Sequence, residues 1–130
     1  MLTIDVDNFK DVNDLHGHSQ GDAVLAAACK LLRKCLRPND FVGRLGGDEF
    51  VALLPRTNAR GAQVIAERMR RAIFNASWTT AFPVTVSVGI GCWNGADDAA
   101  ELVLARSDEA MYLAKSAGRN AVSGPQATLL

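Results

Sequence analysis

Apolar positions along the chain change their period several times, and each change marks an element. Leu2, Thr3, Ile4, Asp5 and Val6 form an apolar, β-branched run directly after Met1, which predicts a buried central strand. A short helical piece is expected over residues 9–15. Ser19 with Asp22 three residues later is an acidic relative of the capping box and predicts the start of a longer helix. Val24, Leu25, Ala28, Leu31, Leu32 and Cys35 then recur at three- and four-residue steps. That single apolar stripe ends before Pro38 and would cover a sheet.

Residues 41–45 and 50–54 are two short strand-like runs separated by Gly46, Gly47, Asp48 and Glu49, which predicts a β-hairpin. Ala62, Ile65, Met69, Ala72 and Ile73 mark another amphipathic helix, and residues 84–90 alternate Val, Thr and Ser with high strand propensity. Asp98 with Glu101 is expected to cap a last helix running to about Ser116, with Gly118 as its C-terminal stop. Beyond Asn120 there is room for one short strand. This order predicts an α/β (α+β) sandwich in which helices cover a mostly antiparallel central sheet. No βαβ repeat points to a Rossmann fold.

A length of 130 residues with 48% hydrophobic composition matches one domain with one core. Fourteen basic and fourteen acidic side chains cancel, so no global field draws the chain to nucleic acid or an anionic membrane, and phosphate binding would be local. Cys29, Cys35 and Cys92 lack the paired short spacing of a zinc site, which argues for free thiols and a cytoplasmic location. No apolar run approaches the roughly 18 residues of a membrane helix, and the start lacks the features of a secretory signal. No membrane contact by this domain is expected, although a longer parent protein could be anchored elsewhere.

Two acidic clusters change the picture. Asp5 and Asp7 lie at the end of a strand that otherwise reads as buried, where an unpaired carboxylate costs several kcal/mol or is forced to neutralise. Each therefore needs a hydrogen-bonding partner, a salt bridge or a cation. Gly46 and Gly47 remove side chains ahead of Asp48 and Glu49, where another molecule could approach the backbone. An ordinary acidic turn has the same composition. If the hairpin lies beside the first strand, Asp5 and Asp48 converge as hard oxygen ligands suited to magnesium, which normally keeps substrate phosphates in its shell.

Gly46-Gly47-Asp48-Glu49-Phe50 resembles the signature of the GGDEF family of diguanylate cyclases. Asp5-Val6-Asp7-Asn8-Phe9-Lys10, Val12-Asn13-Asp14, Gly17-His18 and Gly21-Asp22 resemble that family's first block in residue type and spacing. Val86-Ser87-Val88-Gly89-Ile90 resembles its late strand, and Asp108-Glu109-Ala110-Met111-Tyr112, Ala114-Lys115 and Gly118-Arg119-Asn120 resemble its last helix and exit. The similarity covers nearly the whole chain and implies the nucleotidyl cyclase or polymerase palm type of fold. Adenylyl cyclases and polymerase palms share paired carboxylates, but neither explains Asn13, Asp22 and the signature together.

The resemblance implies condensation of two GTP into cyclic di-GMP and pyrophosphate, with magnesium or manganese as cofactor. Asp5 and Asp48 would be metal ligands with help from the Val6 carbonyl. Glu49 would coordinate metal or help deprotonate the attacking 3′-hydroxyl. Lys10, Lys115 and Arg119 fall at positions that hold the β- and γ-phosphates, where a cation near a helix end could also just complement the helix dipole. The segment after Asp7, including Asn8 and Phe9, would offer backbone N–H groups to anionic oxygens. Asn13 and Asp22 resemble the pair that reads the guanine edge, although locally they are equally a turn residue and a helix cap. His16 and His18 are read as packing or capping residues.

Arg37-Pro38-Asn39-Asp40 resembles the family's RxxD inhibitory site, assisted by Arg68; a surface ion pair is the plainer reading. Val64 stands where some relatives carry a further arginine. One site would hold one GTP, so the resemblance implies a two-fold homodimer as the active species. It also implies an upstream sensory domain in the parent protein. Family domains begin with a helix ahead of the first strand, so residues 1–123 are expected to form the domain without that helix, and residues 124–130 a C-terminal tail. The alternative function is a silent regulatory domain that binds GTP or cyclic di-GMP; retention of Asp5, Asp48 and Glu49 favours the enzyme.

Overall fold

In the computed structural model, which describes residues 1–125, β1 (Leu2–Val6) is buried along its whole length. Its burial follows from its place in the middle of a five-stranded sheet. β1 pairs antiparallel with β3 (Glu49–Leu53) on one side and with β4 (Val86–Ile90) on the other. β2 (Phe41–Gly46) pairs antiparallel with β3, and β5 (Val122–Ser123) runs parallel to β4. The strand order is β2-β3-β1-β4-β5, so the expected sandwich with a mostly antiparallel sheet is what forms.

Alternation along β1 separates two layers. Leu2, Ile4 and Val6 join one core with Val24, Leu25, Ala28 and Leu32 of α2 (His18–Lys34) and with Ile65, Met69 and Ile73 of α3 (Ala59–Asn75). Thr3 points the other way and shares a 2.6 Å hydroxyl contact with Ser107 of α4 (Ala100–Ser116). This helix lies directly on the β4 backbone: a Cβ added at Gly89 would stand 2.0 Å from the Ser107 carbonyl oxygen and 2.2 Å from the Met111 nitrogen. Close seating of α4 brings its C-terminal end over Asp5.

Two helix starts differ from the sequence expectation. After α1 (Phe9–His16), α2 begins at His18 with Gly17 as N-cap at φ 86°, so Ser19 and Asp22 lie inside its first turns and form no capping box. The glycine makes the break, and its N–H bonds back to the Asn13 carbonyl at 2.8 Å. Likewise α4 starts after Ala99 with no side-chain cap. Asp98 instead accepts from the Asn94 and Ala99 N–H groups and pairs with Arg106, which closes the preceding loop. β4 begins at Val86, two residues later than expected, with Val84 still buried. The expected tail falls mostly outside the described residues. Among the described residues no helix is long and apolar enough to cross a membrane.

Candidate active site

The two carboxylates at the end of β1 have opposite environments. Asp7, 2% exposed, accepts from the Ser87 hydroxyl at 2.6 Å, the Thr85 hydroxyl at 2.8 Å and the Asn120 N–H at 3.0 Å. It is fully used as a structural tie. Asp5 has no such set of donors. Its Oδ1 is buried without a hydrogen-bond partner, and its Oδ2 lies 2.5 Å from Lys115 Nζ. Burial first, and then the neighbouring Asp48, push the Asp5 carboxyl up to about 7, while Lys115 pulls in the opposite direction.

The hairpin delivers the second acidic group. Asp5 is in register with Glu49, and the Val6 N–H donates to the Asp48 carbonyl at 3.1 Å. This bond fixes the signature turn against the end of β1. Gly47 adopts φ 51° with open space where a Cβ would stand, and the Arg44 Nε–H donates to its carbonyl at 2.8 Å. Glu49 is raised from its ordinary value, chiefly by burial and then by the negative charge of Asp108 on α4. Asp108, to which the sequence assigns no role, therefore lies near Glu49.

The structure thus joins Asp5, Asp48 and Lys115, with Glu49 beside them and raised by the nearby Asp108 charge. Among the described residues no group of three or more His, Cys, Asp or Glu side chains is arranged as a metal centre. Asp5, Asp48 and the Val6 carbonyl nonetheless suit a hard divalent ion, because magnesium is commonly held by one or two carboxylates with substrate phosphates completing its shell. The orphaned Asp5 oxygen is the specific feature that fits such an ion.

Beyond β1 the chain turns sharply at Asn8, which is left-handed at φ 55°, and enters α1. Phe9 packs against the core and Lys10 is exposed. Asn13 has a buried Oδ1 with no partner, and a Cβ on Gly21 would stand 1.8 Å from that atom. The missing Gly21 side chain is what lets Asn13 lie against α2 beside the residue that precedes Asp22, which is exposed. Arg119 and Asn120 are consecutive left-handed residues, at φ 66° and 46°. They line a cleft of about 430 Å³ with Asn8, Asp11 and Thr85. His16 accepts from the Ala81 N–H at 3.0 Å and packs beside Phe82, in keeping with a structural role.

Arg37 and Asp40 lie away from this cluster. Nε and Nη2 of Arg37 donate to the two Asp40 carboxylate oxygens at 2.8 Å each, and Nη2 also reaches Thr57 Oγ1 at 2.5 Å. The Arg37 guanidinium holds the Asp40 carboxyl below its ordinary range. Arg68 donates to the Cys35 carbonyl at 3.1 Å and lines a groove on α3 with Gln63, Val64, Glu67 and Arg71.

Residues 1–121 match the family model described as diguanylate cyclase, GGDEF domain. Diguanylate cyclase A of Treponema denticola is 37% identical over 126 residues, covering 95% of this chain and 34% of the relative. Diguanylate cyclase DgcM of Escherichia coli is 45% identical over 122 residues, covering 94% of this chain and 30% of the relative. The chain therefore spans about a third of the length of these relatives. Among solved structures, the active GGEEF domain of a diguanylate cyclase from Vibrio cholerae has a TM-score of 0.89 at 32% identity, covering 98% of this chain and 82% of that one. The GGDEF domain of DgcB from Caulobacter crescentus in complex with c-di-GMP has a TM-score of 0.85 at 28% identity, covering 95% of this chain and 75% of that one. Signature, fold and relatives agree: the chain belongs to the GGDEF domain family of diguanylate cyclases.

Proposed function

We propose that this domain binds one GTP and, facing a second copy across a two-fold axis, joins two GTP into cyclic di-GMP. The observation that carries the reading is the buried, partnerless Asp5 oxygen beside Asp48 and Lys115. A carboxylate left in that state calls for a cation that arrives with the substrate.

Asp5, Asp48 and the Val6 carbonyl would hold magnesium or manganese, which when bound polarises the α-phosphate and lowers the pKa of an attacking hydroxyl. The remaining steps belong to the chain. Lys115, Arg119 and Lys10 would together grip the β- and γ-phosphates. Backbone N–H groups at Asn8 and Phe9 line the same approach, and Gly46 and Gly47 leave room for the nucleotide to reach the hairpin backbone. Glu49, raised from its ordinary value, accepts the 3′-hydroxyl proton. Each 3′-oxygen forms a bond to the other nucleotide's α-phosphorus, and the bond to the departing pyrophosphate breaks in line. Two pyrophosphates leave for each cyclic product.

Asn13 and Asp22 select guanine. The partnerless Asn13 oxygen accepts from a base-edge N–H, and Asp22 takes the remaining donors. Arg37, Asp40 and Arg68 form a separate product site: the Arg37 fork, now closed on Asp40, opens to a phosphate or guanine acceptor. Product binding there restrains the domains from meeting. A sensory domain elsewhere in a longer parent protein would set how often they meet.

The test is a product assay on the parent protein with GTP and magnesium. Two pyrophosphates per cyclic di-GMP, with a rate that rises more steeply than protein concentration, support the reading; nucleotide binding without product contradicts it.

A further inference from the structure

We infer that Arg70 is a positioning residue that fixes the phosphate-gripping turn of Arg119 and Asn120 from across the sheet. Arg70 lies on α3, far in sequence from that turn. Its Nε–H donates to both Glu67 carboxylate oxygens at 3.0 and 3.1 Å, and Nη2 reaches Glu67 Oε1 at 2.5 Å. This grip aims the remaining nitrogen, and Nη1–H donates to Asn120 Oδ1 at 3.0 Å. The Asn120 N–H in turn donates to Asp7 Oδ2 at 3.0 Å. A continuous relay therefore runs from α3 through the turn to the end of β1.

The turn needs such support. Arg119 and Asn120 are both non-glycine residues in the left-handed region, a conformation that persists only where the surroundings over-determine it. The Asn120 side chain bonds to Arg70 and its main chain to Asp7, so the turn is held from two directions. The Arg70 side chain is 19% exposed, which shields the relay from water. Asp7 is followed directly by left-handed Asn8, so the same carboxylate sets where the chain leaves β1 toward Lys10. Arg119, which the proposed function assigns to the phosphates, is the side chain this support places.

This inference rests on the phosphate role of Arg119, and the experiment separates the two. In the parent protein with magnesium, affinity for a GTP analogue with a non-cleavable α–β bridge is measured by calorimetry, with thermal unfolding followed alongside. Arg119→Ala and Arg70→Gln are each expected to weaken binding about tenfold, as displaced supporting residues commonly do. The double variant is expected to be no weaker than Arg119→Ala alone. Arg70→Lys, which keeps an N–H donor for Asn120, is expected to recover most of the affinity. Should Arg70→Gln fail to fold, Asn120→Gly removes the same acceptor while tolerating the left-handed backbone, and the same tenfold loss is expected. Unchanged affinity in Arg70→Gln or Asn120→Gly, or effects that add in the double variant while Arg119→Ala binds weakly, overturns the positioning role. Unchanged affinity in Arg119→Ala overturns the phosphate assignment itself, and the inference with it.

Discussion

Lys115 Nζ stands 2.5 Å from Asp5 Oδ2, so a side chain of α4 neutralises a buried carboxylate of β1 while the other oxygen of that carboxylate has no partner. On the proposed function, a divalent ion would take Asp5 and free the Lys115 ammonium for the substrate phosphates. Lys115→Met is predicted to weaken binding of GTP with magnesium about tenfold. Calorimetry with and without magnesium checks this, and the loss is expected to be larger with the ion present.

Gly21 is the second lever. A Cβ there would stand 1.8 Å from Asn13 Oδ1, yet alanine is a better helix former than glycine. Gly21→Ala is therefore predicted to fold while displacing Asn13, lowering the preference for GTP over ATP by about tenfold or more. Competition binding of the two nucleotides measures it.

Arg37→Ala is predicted to relieve product inhibition at a cost of about 1–3 kcal/mol in stability, because the Asp40 side chain is only 1% exposed and loses the guanidinium that both its oxygens accept from. The measurement is the synthesis rate at increasing added cyclic di-GMP. Inhibition persisting at the same product concentration would contradict the RxxD assignment.

The relay on α3 gives a pH dependence. The Arg70 guanidinium holds the Glu67 carboxyl below its ordinary value, so the folded state binds protons there less readily than the unfolded chain. That contribution to stability is present above the ordinary Glu range and is lost as pH falls through the lower folded value. Glu67→Gln is predicted to be less stable than the natural chain at pH 7, with the difference shrinking at acid pH. Urea unfolding at both pH values reads it.

Much of this fold is legible in local pattern. The β1 run, the apolar stripe of α2 and the hairpin around Gly46 and Gly47 all follow from period and turn chemistry. The helix starts were not. Asp98 has the right residue type for a cap, but Arg106, eight residues on, takes its carboxylate, and Gly17 ends one helix and begins the next. That Asp5 and Asp48 converge was legible in the sequence, but the partners each carboxylate meets were not. Asp5 and Asp7 look alike in sequence, and what separates them is Thr85, Ser87 and Asn120, up to 113 residues away. The Arg70–Asn120 hydrogen bond, across 50 residues, is of the same non-local kind.

The central claim is that Asp5 and Asp48 together hold the catalytic ion. Its most direct test is cyclic di-GMP synthesis by the parent protein and its Asp48→Ala variant, with GTP and magnesium and with the dimeric state of both matched. The account predicts that synthesis falls by at least about a hundredfold while the fold is retained. Synthesis at the unsubstituted rate in Asp48→Ala would contradict it.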